Sequence, residues 1–78
     1  MLKEKKIYLN GIEAVKDFCV NASSKTSTDV LVKSLDERYR IDGKSLLGIF
    51  SLDLSKEVIV VYDEQETVFA EYLKSLEK

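Results

Sequence analysis

Apolar residues recur along this 78-residue chain at two kinds of spacing, and the spacing predicts where helices and strands form. From residue 12 to about residue 23 the gaps are three and four positions, which is typical of one face of a helix. The members of this first stripe are Ile12, Val15, Phe18, Cys19 and Ala22. A second stripe predicts a helix over residues 64–77, and its members are Val68, Phe69, Tyr72, Leu73 and Leu76. Each helix should therefore bury one side and expose the other.

Four shorter segments have the composition or the alternation of strands. KKIYL, residues 5–9, places Ile7 and Leu9 on one face and Tyr8 on the other. The other three segments are VLVKSL at 30–35, RYRID at 38–42 and EVIVVY at 57–62. Asp36-Glu37 is expected to form a tight hairpin turn between the second and third strands. The polar segment SSKTSTD, residues 23–29, predicts a loop.

Two local signals predict where the later helices begin. LLGIF, residues 46–50, follows Ser45, and serine is a common cap at helix N-termini. We therefore expect a short helix that begins just after Ser45. Asp63 is followed three positions later by Glu66, a variant of the capping box that predicts the start of the last helix.

The resulting order, β-α-β-β-α-β-α, predicts a single α+β domain over residues 1–78. Because both long helices have only one apolar face, we expect a four-stranded antiparallel sheet with the three helices on one face, an open-faced β-sandwich. The opposite face of the sheet should be largely open to solvent. The residues expected there are Tyr8, Lys33, Arg38 and Arg40.

Composition and charge narrow the classes of partner. With 45% apolar and 33% charged residues, the chain has the composition of an ordinary globular protein. The net charge is −2, and the one basic cluster, Lys3, Lys5 and Lys6, is interrupted by Glu4, so we expect no nucleic-acid partner. No apolar run approaches the length of a membrane helix, and we expect neither a membrane association nor a signal peptide.

The types of residue present also restrict the chemistry. The chain has no histidine, so no imidazole is available as a base, a metal ligand or a phosphoryl acceptor. One cysteine, Cys19, cannot form an internal disulfide, which fits a reducing cytoplasm, and it is expected to be a buried small apolar residue. Asp42, Asp53 and Asp63 are isolated at turns or caps, which argues against a calcium site. We expect no enzyme activity, no metal and no cofactor.

The segment GKSLLGIFSLDL, together with the order of elements, resembles HPr, the histidine-containing phosphocarrier family of the bacterial sugar phosphotransferase system. The most specific part runs from Lys44 to Leu52: a lysine, a serine, two apolar residues, a glycine, two apolar residues, a serine and a leucine. Low-GC Gram-positive members of the family carry a very similar stretch. The resemblance covers nearly the whole chain and implies an HPr-like fold in a cytoplasmic protein.

The resemblance also implies roles for the residues of this segment. In the family, a dedicated ATP-dependent kinase phosphorylates the serine that corresponds to Ser45. The surrounding surface contacts that kinase, sugar-transport enzymes and a transcriptional repressor. By resemblance, the partner-binding residues here are Lys44, Leu46, Leu47, Gly48, Phe50 and Ser51. The alternative for Ser45 is a helix cap alone, and the two roles can coexist.

A second family signature is broken in this chain. Members carry glycine, an apolar residue, histidine, alanine, arginine and proline after the first strand, and the histidine carries the phosphate. Here Glu13 stands where the histidine should be, Val15 where the arginine should be and Lys16 where the proline should be. Glu13 either mimics a phosphorylated histidine or simply favours its helix as an acid in the first turn. The resemblance therefore implies a regulator that is not a histidine phosphocarrier.

Three interpretations remain open at this point. The first is a regulatory module that is phosphorylated on Ser45 and binds proteins through the segment around it. The second is a phosphocarrier that uses an acceptor other than histidine, such as a carboxylate. The third is a structural or adaptor domain in which no phosphorylation takes place.

Overall fold

A computed structural model describes residues 1–77 of the chain, and within them the elements follow the predicted order. They are β1 (Leu2–Ile7), α1 (Gly11–Ser24), β2 (Leu31–Ser34), β3 (Arg40–Asp42), α2 (Leu46–Phe50), β4 (Val58–Asp63) and α3 (Thr67–Lys74). The α+β class is confirmed.

The four strands form one antiparallel sheet in the order β1-β4-β2-β3. The most strand-like segment of the sequence, VIVVYD, becomes the central strand β4, which pairs with β1 on one side and β2 on the other. Its run of β-branched residues suits this position because both of its faces are covered. The strands β1 and β3 lie at the edges of the sheet.

All three helices contribute to one core with alternate residues of β4. Val58, Val60 and Tyr62 share the core with buried residues of the helices, which places the helices on that face of the sheet. The fully buried helix residues are Val15, Phe18, Ala22, Ile49, Phe69 and Leu73. Ile7 and Leu9 are also fully buried, as their shared face predicts. Ile12 and Val68 belong to the predicted apolar stripes, but the structure places neither in the core. Both side chains are about three-fifths exposed.

The predicted boundaries are wrong at β1, at the hairpin after β2 and at α3. β1 begins at Leu2 rather than residue 5, because β4 extends to Asp63 and pairs with it there. The hairpin after β2 is wider than predicted: it contains Asp36 and Glu37, but Ser34 N–H bonds to the Tyr39 carbonyl and β3 begins only at Arg40. α3 covers Thr67–Lys74 rather than 64–77.

The predicted capping box does not form at the start of α3. The carboxylate of Asp63 accepts from the N–H of Gln65, which makes a turn before the helix. Glu66 occupies the N-cap position without a side-chain cap bond. Its carboxylate instead contacts the loop before β2.

The sheet face opposite the helices is less open than predicted. Arg40 is exposed there as predicted, but Lys33 is buried, together with Ile59 and Val61 of β4. Arg38 is exposed in the turn before β3, and Tyr8 follows the end of β1 and is half-buried, so neither is part of a strand. Lys33 pairs with Ile59 across β2 and β4, so its aliphatic stem lies over apolar strand residues. Its ammonium contacts the carboxylates of Glu37 at 2.6 Å and Glu4 at 2.9 Å. The hydrogen bond to Glu37, then the one to Glu4, raises the pKa of Lys33.

Candidate functional site

The turn from β3 into α2 is fixed by two successive caps. The Asp42 carboxylate accepts a hydrogen bond from the backbone N–H of Lys44 at 2.9 Å. The backbone carbonyl of Asp42 accepts from the N–H of Ser45 at 3.0 Å. Ser45 has extended backbone angles, and its Oγ accepts from the N–H of Gly48 at 3.2 Å. The predicted N-cap role of Ser45 is confirmed.

Gly48 is required by close packing on two sides. A Cβ at this position would overlap the Ile41 side chain of β3 and would approach Ser45 Oγ to 3.0 Å. The absence of a side chain therefore lets α2 approach β3 and lets the Gly48 N–H reach its cap. This explains why a glycine stands inside an otherwise apolar helix.

The α2 surface, which we define as residues 44–51, divides into a buried and an exposed side. Ile49 is fully buried, whereas Leu47 is 84% exposed and Phe50 is 39% exposed. The half-buried members are Lys44, Ser45, Leu46 and Gly48, and Ser51 is exposed. A helix of five residues thus presents two large apolar side chains to solvent directly after Ser45.

Lys44 connects this surface to the rest of the fold. Its Nζ donates to the carbonyl of Thr28 at 3.2 Å, in the loop between α1 and β2. The same loop is held by Glu66, whose carboxylate accepts from the N–H groups of Ser27 and Thr28 and from the Thr28 hydroxyl. The two hydrogen bonds from Thr28 are the main cause that lowers the pKa of Glu66. The bond from Ser27 and the charge of Lys44 lower it further by smaller amounts. Sequence patterns did not reveal this contact, because 38 positions separate Glu66 from Thr28.

The segment after β1 that begins at Gly11 is helical. Glu13 lies exposed in the first turn of α1. Val15 is fully buried in the core, while Lys16 is exposed. Position 15, where the resemblance would place an arginine, therefore holds a core residue rather than a group that could bind an anion.

The other residues considered for chemistry have structural surroundings. Asp42, Asp53 and Asp63 each accept from the N–H two residues later, which is the bonding of an Asx turn. Cys19 packs against the core but is only half-buried, and burial, with a smaller effect of Asp42, raises the pKa of its thiol. Among residues 1–77, no group of three or more acidic, cysteine or histidine side chains is placed to hold a metal ion.

A groove that the sequence did not predict lies beside the end of α2. It has a volume of about 390 Å³ and runs between the turn at residues 34–39 and the segment at residues 51–58. Ser51 belongs to both the α2 surface and this groove. The two segments meet only in the folded chain, so no local pattern indicates them.

No protein-family model matches the chain, and no curated protein matches it. Within the described part of the chain, no helix is long and apolar enough to cross a membrane.

Proposed function

We propose that this chain is a regulatory protein–protein interaction module of the HPr type, which binds partners through the α2 surface and is controlled by phosphorylation of Ser45. The observation that carries the proposal is the exposure of Leu47 and Phe50, two large apolar side chains immediately after a serine at the start of a helix. Apolar side chains grouped at the surface are typical of sites that bind proteins.

Two further features support the assignment to the HPr type. The order β-α-β-β-α-β-α, with three helices against one face of a four-stranded antiparallel sheet, is compatible with an open-faced β-sandwich. The segment from Lys44 to Leu52 carries the resemblance described above. The module would act in the cytoplasm, where an ATP-dependent kinase has its substrate.

The residues argue against the carrier function of the family. The chain contains no histidine, and Val15 is buried where the family has an arginine. Glu13 is exposed and could be reached by a phosphoryl donor, but partner enzymes built for imidazole would not receive phosphate from an acyl phosphate. We expect no label after incubation with enzyme I and phosphoenolpyruvate, and a hydroxylamine-sensitive label on Glu13 would support the carrier alternative.

Phosphorylation of Ser45 would change the α2 surface by charge. A phosphate adds about −1.5 to −2 charges at neutral pH, directly beside Leu46 and Leu47. A partner with arginines near its apolar contact would bind the phosphorylated form more tightly, and an acidic partner would bind it less tightly.

The test is incubation with the family's serine kinase and ATP, followed by intact-mass measurement. We expect one added phosphate, lost in Ser45→Ala and kept in the matched variant Ser51→Ala at the other end of α2. An unmodified mass for the wild-type chain would contradict the regulatory role of Ser45.

An adaptor without phosphorylation is the second candidate. It is favoured by the half-burial of Ser45 and by its cap bond to Gly48, which give the serine a structural role already. A partner that binds equally well to wild type, Ser45→Ala and Ser45→Asp but is lost in Leu47→Ala would favour the adaptor. Val68→Ala, which changes an exposed apolar residue of α3, is the control for the Leu47 variant.

A further inference from the structure

The groove between residues 34–39 and 51–58 has apolar side chains that the core does not use. Leu35 is 41% exposed and Tyr39 is 59% exposed, whereas Leu52 and Val58 are buried in the adjoining core. Tyr39 offers a ring face on which a guanidinium or an aliphatic side chain can lie. With about 390 Å³, the groove has room for one or two side chains of a peptide rather than for a large ligand.

The charges along the same groove are mainly negative. Among the lining residues, three carboxylates, those of Asp36, Asp53 and Glu57, stand against one ammonium, that of Lys56. The guanidinium of Arg38, in the same turn, also acts on Asp36, so the net charge is negative by about one unit. Bonds from the Ser34 hydroxyl to Asp36, and from the Ser55 hydroxyl to Asp53, lower the pKa of each carboxyl. Both groups are therefore charged at neutral pH.

The hydrogen bonds of the two turns do not exhaust the acceptor capacity of these aspartates. Oδ1 of Asp36 accepts from Ser34 and Arg38, and Oδ1 of Asp53 accepts both bonds from Ser55. Because an ionised carboxylate has about four acceptor sites, each group can still accept from a ligand while the turn holds it in place.

We propose that this groove binds an extended peptide segment of a partner protein, in which an arginine or lysine lies beside an apolar residue. The cationic side chain would lie between the carboxylates, and its apolar neighbour would contact Leu35 and Tyr39. The excess of carboxylates disfavours phosphate groups and hence nucleic acid. A second copy of this chain, with a net charge of −2, is a less suitable occupant than a basic peptide. The proposal goes beyond the proposed function, since it requires no phosphorylation of Ser45.

The test is a titration of the ¹⁵N-labelled full chain with the peptide acetyl-Ala-Leu-Arg-Leu-Ala-amide, followed by amide chemical shifts. We expect saturable shifts confined to residues 34–39 and 51–58, which weaken as salt is added. The matched peptide with glutamate in place of arginine should not bind in the same range. Absence of saturable shifts up to about 5 mM peptide, a concentration at which binding near 1 mM would be evident, would overturn the proposal.

Variants separate the groove from general electrostatic attraction. The double variant Asp36→Asn/Asp53→Asn keeps both turn acceptors but removes two charges, and should weaken the arginine peptide about fivefold, the effect of two exposed ion pairs. Asp63→Asn removes the charge of a similar Asx turn outside the groove and should leave the affinity unchanged. Equal weakening by both changes, or binding of the glutamate peptide, would overturn the proposal. Shifts that grow with protein concentration alone would instead identify a second copy as the occupant and overturn it too.

Discussion

Substitutions at Ser45 should separate its role as a helix cap from any role in regulation. Its Oγ accepts one bond from Gly48 N–H at 3.2 Å, and α2 contains only five residues, so loss of this bond affects most of the helix. Ser45 is half-buried, and water can replace part of the lost bond. We therefore expect Ser45→Ala to lower the free energy of unfolding by about 1 kcal/mol, near the middle of the range for N-caps.

The magnitude can be read from thermal or urea denaturation followed by circular dichroism. For a domain of this size, about 1 kcal/mol corresponds to a decrease in Tm of roughly 4–8 °C. Ser45→Asp keeps an acceptor and adds a negative charge at a helix start, so its stability should remain within about 0.5 kcal/mol of wild type. Ser45→Gly should lower the free energy of unfolding by only about a few tenths of a kcal/mol, because glycine is itself a favourable residue at the N-cap position.

An exposed serine within a helix provides the control. Ser23→Ala in α1 removes a hydroxyl from an exposed helical position and should leave stability unchanged or slightly raised, by about 0.5 kcal/mol. If Ser45→Ala is as stable as wild type while Ser45→Asp is destabilised, the bond to Gly48 does not support α2 and the reasoning is refuted. Partner or kinase assays on these variants then report on recognition only where the variant remains folded.

Three further predictions concern packing and pH. Gly48→Ala should lower the free energy of unfolding by about 1–3 kcal/mol, because the added methyl group overlaps the Ile41 side chain. In the double variant, Ile41→Ala should recover part of this loss. Effects of the two substitutions that simply add up would contradict the overlap. Phe69→Ala should lose about 3–5 kcal/mol in urea denaturation, because its buried ring lies 6.0 Å from three aromatic rings; a loss below about 1 kcal/mol would be inconsistent with this packing. The pKa of Glu66 is lowered in the fold, so its contribution is present above the ordinary carboxyl pKa of 4.5 and is lost as pH falls through the folded value. Below pH 4.5, the free energy of unfolding of Glu66→Gln should therefore fall less steeply with decreasing pH than that of Glu71→Gln, which changes an exposed glutamate and serves as the control. Equal slopes for the two variants would contradict the contact between Glu66 and the loop.

Periodicity was sufficient to predict most of the fold, because most elements bury a regularly spaced face. Val15, Phe18, Phe69 and Leu73 are core residues as predicted, and α2 begins after Ser45 as its cap indicates. Some of the errors occur where a side chain bonds to a distant segment. Glu66 stands at capping-box spacing, yet it bonds to a loop 38 positions away.

Lys33 illustrates the same limit on the other face of the sheet. Alternation places it correctly on the side opposite the helices, but one of the two carboxylates that its ammonium contacts belongs to Glu4, which lies 29 positions earlier. The α2 surface was predictable because its residues are contiguous in sequence, whereas the groove beside it combines two separate segments. The roles of Ser45 and of its neighbours in binding remain predictions.

The bonds that Lys33 makes have a consequence for how so short a chain covers its sheet. One ammonium between Glu37 and Glu4 lies over Ile59 and Val61, where a larger protein would place a further layer of helix or strand. Because these bonds raise the pKa of Lys33 and lower that of Glu37, both groups stay ionised from mildly acidic to alkaline conditions. In strong acid Glu37 loses its charge and no longer holds the Lys33 ammonium, and the apolar side chains of Ile59 and Val61 beneath it would then be less well shielded from water.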